Sequence, residues 1–202
     1  VAGTVMNLFL FAIVGACVGI SVLFSQLYGA GDMGQFRKEH FQSLVIGVLG
    51  TLGLALLGFV SMPMLLRVMQ TPQEIQGYVS GYLSIILFGL PAAYIYNLYN
   101  SLLRSVGNVK AALCILAAAA GTNLILDLLF VGKFQWGIQG AATATVLAQI
   151  FSAVLCIGYL RTAMKDFLFH REDWGFSGSL LKKTVSFGAI SALHQAGLYI
   201  GK

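Results

Sequence analysis

One acidic side chain stands inside the long apolar runs of this chain: Asp127, within TNLILDLLF at 122–130. A carboxyl in a low-dielectric setting is disfavoured as the bare anion and favoured again by a bound cation, so it can exchange a proton for a cation. Asn123 lies four residues earlier, which stacks the two on one face of a helix. On the next apolar run Thr143 and Thr145 point in different directions, and Thr145 falls at a depth near that of Asp127. Asn97 and Asn100, three apart, share a face among Tyr94, Tyr96 and Tyr99. These side chains could meet in a polar pocket. The alternative is structural: Asp127 as a hydrated helix end or a loose pair with Lys133, and Asn97 and Asn100 as bonds between neighbouring helices.

The elements that must position them are membrane helices. The 202 residues are 58% hydrophobic and 9% charged, with a mean hydropathy of +0.84, far more apolar than an ordinary soluble domain. Five stretches, 1–28, 41–66, 78–103, 111–132 and 138–160, reach the roughly 20 residues needed to cross a hydrocarbon core. A sixth helix opens near Leu180. The first stretch is too long for a signal-peptide core and has no basic residue before it. The chain therefore reads as an internal piece of a longer, all-α transmembrane bundle.

Basic residues alternate between connections. The first, third and fifth hold nine (Arg37, Lys38, Arg104, Lys110, Arg161, Lys165, Arg171, Lys182, Lys183), whereas the second and fourth hold Arg67 and Lys133. Lysine and arginine accumulate on the cytoplasmic side, which puts the odd connections inside and Asp127 about 7 to 8 Å below the outer end of its helix. The fifth connection, RTAMKDFLFHREDWGFSGSLLKK, reads as a linker between two helical units. It is expected to be a solvated strap, with an amphipathic surface segment around 164–174 as the alternative.

Enzyme signatures are lacking. GAGDMG at 29–34 fits G-x-G-x-x-G but follows a membrane helix rather than a strand, so it reads as a tight turn. His40, His170 and His194 are scattered, and Cys17, Cys114 and Cys156 sit at spacings suited to neither a metal nor a disulfide framework. Gly15-x-x-x-Gly19 and Gly140-x-x-x-Ala144-x-x-x-Ala148 are small-residue stripes that let helix backbones approach closely. Pro91 removes a backbone hydrogen bond mid-span, where a kink is expected.

Four stretches, SQLYGAGD (25–32), LLRSVGNVKAAL (102–113), TNLILDLLFV (122–131) and WGIQGAATATVLAQ (136–149), together resemble the multidrug and toxic compound extrusion (MATE) transporters. The resemblance implies a twelve-helix, two-lobe protein of which 1–160 is the N-terminal lobe from helix two to helix six. It makes 161–179 the cytoplasmic inter-lobe linker and 180–202 the start of helix seven. The family's first helix, which commonly carries a second carboxylate, would precede this chain. At Gly188-Ala189 the usual Gly-Pro of helix seven is absent, which removes the reason for a kink there.

By the same resemblance, the N-x-x-L-D pattern on helix five assigns coupling-ion binding to Asn123 and Asp127, a helix-six Thr to Thr145 and a helix-four Asn to Asn100. Hydropathy sets Asn100 near the cytoplasmic end and Asp127 near the outer end, so tilt or a bend after Pro91 would have to join them. The implied activity is multidrug efflux by antiport, with H⁺ or Na⁺ (the latter at Asp127 and Asn123) entering as small organic cations leave. Tyr94, Tyr96, Asn97 and Tyr99 would line the substrate cavity, where aromatic faces attract organic cations. No cofactor and no nucleic acid are expected, and the protein is expected to be a monomer in the lipid bilayer of a bacterial plasma membrane. The rival readings are a flippase for lipid-linked precursors from the same superfamily and a non-transporting membrane scaffold.

Overall fold

The computed structural model describes residues 2–68 and 70–200. Six long helices run in chain order: α1 (Ala2–Gly29), α2 (Met33–Val68), α3 (Gln73–Ser105), α4 (Val109–Asp127), α5 (Gly137–Ala163) and α6 (Gly178–Ile200). There is no strand among the described residues. The first five are long and apolar enough to cross a membrane. In lipid every backbone polar group must be satisfied within the segment, which an α-helix does by itself. Leu56, Leu57, Val60, Phe88, Leu124, Ile125 and Val154 are all exposed. In a bilayer such a surface faces acyl chains instead of water.

The turns have a local chemical basis. Gly31 has φ of +72°, a conformation glycine adopts without strain, and Asp32 Oδ1 then accepts the Gln35 N–H at 3.0 Å to cap α2. Gly107 (φ +83°) ends α3, and Asn108 caps α4 by accepting the Ala111 N–H while its amide donates to the Tyr159 hydroxyl of α5 at 2.9 Å. GAGDMG is thus a helix corner. α3 continues through Pro91, and α6 continues through Gly188-Ala189.

α2 begins at Met33, eight residues before the apolar stretch that opens at Phe41. Hydropathy ends where Arg37, Lys38, Glu39 and His40 begin, but the helix does not. This extra length forms a post against which residues 164–177 are docked. Phe167 meets Phe36 edge-on at 5.5 Å, Phe169 meets His40 at 4.9 Å, and Trp174 stacks on Phe41 at 5.9 Å. The Phe167 carbonyl accepts from His40 Nδ1 at 3.0 Å, and Arg37 Nε donates to Asp173 Oδ2 at 3.0 Å. The connection is therefore docked on α2 through part of its aromatic residues, while Trp174 and Phe176 keep more than half of their surface exposed. It folds as two short 3-10 turns, Lys165–Phe167 and Arg171–Asp173, because its aromatic residues find partners on α2.

α1 also packs along α6, and the Gly15/Gly19 stripe faces that partner. A Cβ at Gly15 would lie 2.7 Å from the Ala192 Cα, and one at Gly19 would overlap the Phe187 carbonyl. Without a hydrophobic force between helices in lipid, close backbone approach of this kind supplies the attraction. Gly47 serves a different purpose. Its missing side chain leaves room for the Tyr94 ring, whose hydroxyl donates to the Ser43 carbonyl at 2.7 Å.

Two outcomes test this packing. Gly19→Ala should destabilise the folded bundle by about 1–3 kcal/mol through overpacking. Gly53→Ala, at a position with open space around it, should be neutral or stabilising by about 0.5–1 kcal/mol. Thermal unfolding in detergent reads both. A second prediction concerns the linker. Burial by itself would raise the Asp173 pKa, but the His170 N–H and the Arg37 guanidinium outweigh it and hold the carboxyl below its ordinary value. Such a group adds stability above its unfolded pKa of about 3.9, and loses it as pH falls through the lower folded value. Asp173→Asn should weaken linker docking by about 1.5–3 kcal/mol, seen as faster protease cleavage within 164–177 at neutral pH. The difference from the parent should vanish in acid.

Candidate functional site

Asn123 and Asp127 close the last full turns of α4. Immediately after Asp127 the helix widens into a π-helical segment, Leu128–Lys133, in which the Phe134 N–H reaches back to the Leu129 carbonyl at 2.9 Å. π-Bulges are rare and concentrate at functional sites. Nothing in the composition of LLFVGK announced this one. The segment ends in a cluster of rings, with Phe130 stacked on Trp136 at 5.0 Å and Phe134 5.7 Å from Trp136. Aromatic rings of this kind suit the membrane interface.

The polar atoms at this place are unusual. Asn123 Nδ2 and Asp127 Oδ1 are buried and have no hydrogen-bond partner among the described residues. A buried unmatched donor and acceptor each cost about 1–3 kcal/mol, so a pair of them on one helix face calls for a ligand. Thr145 stands on α5. Gly140 packs on Phe130, with the built Cβ 3.2 Å from Phe130 backbone, which sets the antiparallel register of the two helices. Asp127 lies three residues before Phe130 and Thr145 five after Gly140, so at about 1.5 Å per residue they sit within about 3 Å of one depth. The Thr145 hydroxyl donates to the Ala141 carbonyl at 3.0 Å, which leaves its oxygen lone pairs as acceptors.

Asn100 is elsewhere. Its amide donates to the Ala112 carbonyl at 3.1 Å, in the first turns of α4. Fifteen residues separate Ala112 from Asp127, about 22 Å along the helix. Asn100 is therefore not brought to the acid; it joins α3 to α4 at the opposite end, because α3 stays helical through Pro91 instead of folding the two ends together. The proposed cavity residues also divide. Tyr94 borders a groove of about 340 Å³ between α1, α2 and α6. Tyr99 is buried against His40 at 5.2 Å, Tyr96 packs on the apolar core, and the Asn97 amide donates to the Ala93 carbonyl of its own helix at 2.8 Å.

The residue types on this α4 face would suit a small monovalent cation. Asp127 would supply an anionic oxygen and Asn123 an amide whose oxygen can replace its nitrogen by a half-turn, while Thr145 shares their depth on α5. There is no cluster of three or more His, Cys, Asp or Glu side chains among the described residues. A single carboxylate backed by neutral oxygens suits an ion that must leave again, in contrast to the many hard oxygens that hold Ca²⁺.

The MatE family model matches residues 1–129, well over half of the chain. This chain belongs to that family. It is 30% identical over 191 residues to a probable multidrug resistance protein, YpnP, of Bacillus subtilis, covering 93% of this chain and 43% of the relative. A probable multidrug resistance protein NorM of Geobacillus kaustophilus is 25% identical over 185 residues, covering 87% and 41%. The chain thus spans about two fifths of the length of these curated relatives. Its fold matches an inward-facing multidrug resistance MATE family transporter of the MOP superfamily with a TM-score of 0.89, at 23% identity, over 98% of this chain and 45% of that one. An outward-facing structure matches with 0.86, at 24% identity, over 96% and 43%. The MatE chain is accordingly a multi-pass, all-helical membrane protein of a transporter family.

Sequence reading missed Glu39, His40 and Thr184, all fully or nearly fully buried. The signal that could have found Glu39 and His40 is their place at the end of a charged segment continuous in helical phase with α2. His40 reads from sequence as one of three scattered histidines, and Glu39 falls outside the five apolar runs.

Proposed function

We propose that the complete protein exports organic cations by antiport against H⁺ or Na⁺, with Asp127 carrying the exchangeable charge. The observation that supports this most is the orphaned pair, Asn123 Nδ2 and Asp127 Oδ1, beside a π-helical turn. Asn123 and Thr145 would orient the carboxylate and share the ion. On this reading 1–160 is a lobe lacking its first helix, 161–179 is the connection between lobes, and 180–202 opens the second lobe. The names of the relatives, multidrug resistance proteins, support the substrate class. Tyr94 is the aromatic wall best placed for such a substrate, since it borders the groove between α1, α2 and α6. The organism's plasma membrane is the proposed location, with the basic odd connections in the cytoplasm, and the monomer is the proposed unit.

Coupling requires that the ion bind one access state more tightly than the other, because equal affinity shifts nothing. In vesicles holding the complete protein, efflux of a fluorescent organic cation under separately imposed proton and sodium gradients identifies the ion. Asp127→Asn should remove gradient-driven efflux while the protein remains folded, since Oδ1 makes no hydrogen bond to lose. Efflux at the parent rate would overturn the assignment of the exchangeable charge to Asp127.

A further inference from the structure

A second carboxyl, far from the first along the bundle, is built into the contact between α2 and α6. Glu39 is fully buried. Both its oxygens lie against one atom: Thr184 Oγ1 is 2.9 Å from Oε1 and 2.8 Å from Oε2. The same Oγ1 is 2.8 Å from the Leu180 carbonyl and 3.3 Å from Gln42 Nε2, which donates to it. Gln42 Oε1 in turn accepts the Ser177 N–H at 3.2 Å. This cluster joins α2 to the first turns of α6.

Counting hydrogens decides its protonation. A threonine hydroxyl has one hydrogen and two lone pairs, and an ionised carboxylate can only accept. With Glu39 ionised, that one hydrogen faces three acceptors, both carboxylate oxygens and the Leu180 carbonyl, and a buried anion is left short of donors. With Glu39 neutral, one hydrogen is added and only its second oxygen is left without a donor. The carboxylic O–H donates to Thr184 Oγ1, the threonine donates to Leu180, and Gln42 fills the second lone pair.

Among the described residues, the surrounding charged and titratable groups show no other hydrogen bond to Glu39. On α2, Arg37 is committed to Asp173, and the His40 ring points to the Phe167 carbonyl with its Nε2 buried and unpartnered. On α3, the Tyr94 hydroxyl donates to the Ser43 carbonyl. On α1, Cys17 faces the Tyr94 carbonyl. On α6, Lys182 and Lys183 are exposed beside the buried Thr184, and in the linker His170 and Asp173 pair with each other. A groove of about 220 Å³ reaches Thr184, the residue that contacts Glu39.

We infer that Glu39 is a proton-binding site, and that its bound proton holds α6 against α2. Because burial of Glu39 under α6 favours the neutral acid, acid favours the closed contact and loss of the proton releases α6, by linkage. The site rests on the membrane-helix architecture and not on Asp127 as the coupling group, and the two are separable.

The test uses the complete protein in lipid nanodiscs. Infrared difference spectra across a pH titration should show the C=O band of a protonated carboxylic acid that is lost on alkalinisation. That band should vanish in Glu39→Gln, persist in Asp127→Asn and shift in frequency in Thr184→Val, which keeps the acid but removes its acceptor. Over the same interval, hydrogen exchange of 178–186, corrected for the intrinsic pH dependence, should rise in the parent and stay flat in Glu39→Gln. A band unaffected by both Glu39→Gln and Thr184→Val, or an exchange onset equal in parent and Glu39→Gln, would overturn the inference. Loss of efflux in Asp127→Asn with the Glu39 band intact would separate the two sites.

Discussion

In hydrocarbon there is no water to complete a hydrogen bond, and that constraint organises the whole bundle. It explains why the described chain is helical and why serine and threonine hydroxyls within the spans turn back to their own helices, as Thr51 and Ser152 do. Against that thrift, an unmatched donor and acceptor on neighbouring turns of α4 stand out. They share one helix face, next to a segment whose backbone has already left regular α geometry, whereas the other orphaned atom, His40 Nε2, lies alone on α2.

The fold was legible where hydropathy speaks: five spans, their order, and short connections that make neighbours antiparallel. It was also legible in the small-residue stripe, since Gly15 and Gly19 do meet another helix backbone. It was not legible at the charged start of α2. Charge near an apolar run means a solvated end when nothing covers it, and only the folded linker, carrying Phe167, Phe169 and Trp174 back onto α2, reveals that the run is covered. That is a long-range contact, which no local pattern encodes.

The candidate site divides in the same way. Asn123 and Asp127 share a face by spacing alone, and Thr145 reaches their depth because Gly140 fixes the register of α5 against the π-helical turn. Asn100 was drawn to them by family pattern and is held away by helix length. The π-segment had no readable signal in LLFVGK; it is followed by a turn through Gln135 and Gly137, both at positive φ, that starts α5. The stretches that carry the family likeness are mostly corners and caps, so they identify architecture more directly than transport chemistry.

The central claim is that Asn123 and Asp127 hold the ion that substrate binding displaces. Adding an organic cation to the complete protein in weakly buffered detergent, with and without Na⁺, and recording protons or sodium ions released per substrate bound tests it directly. The account predicts stoichiometric release from the parent, and substrate binding without release from Asp127→Asn. Undiminished release from that variant would contradict it.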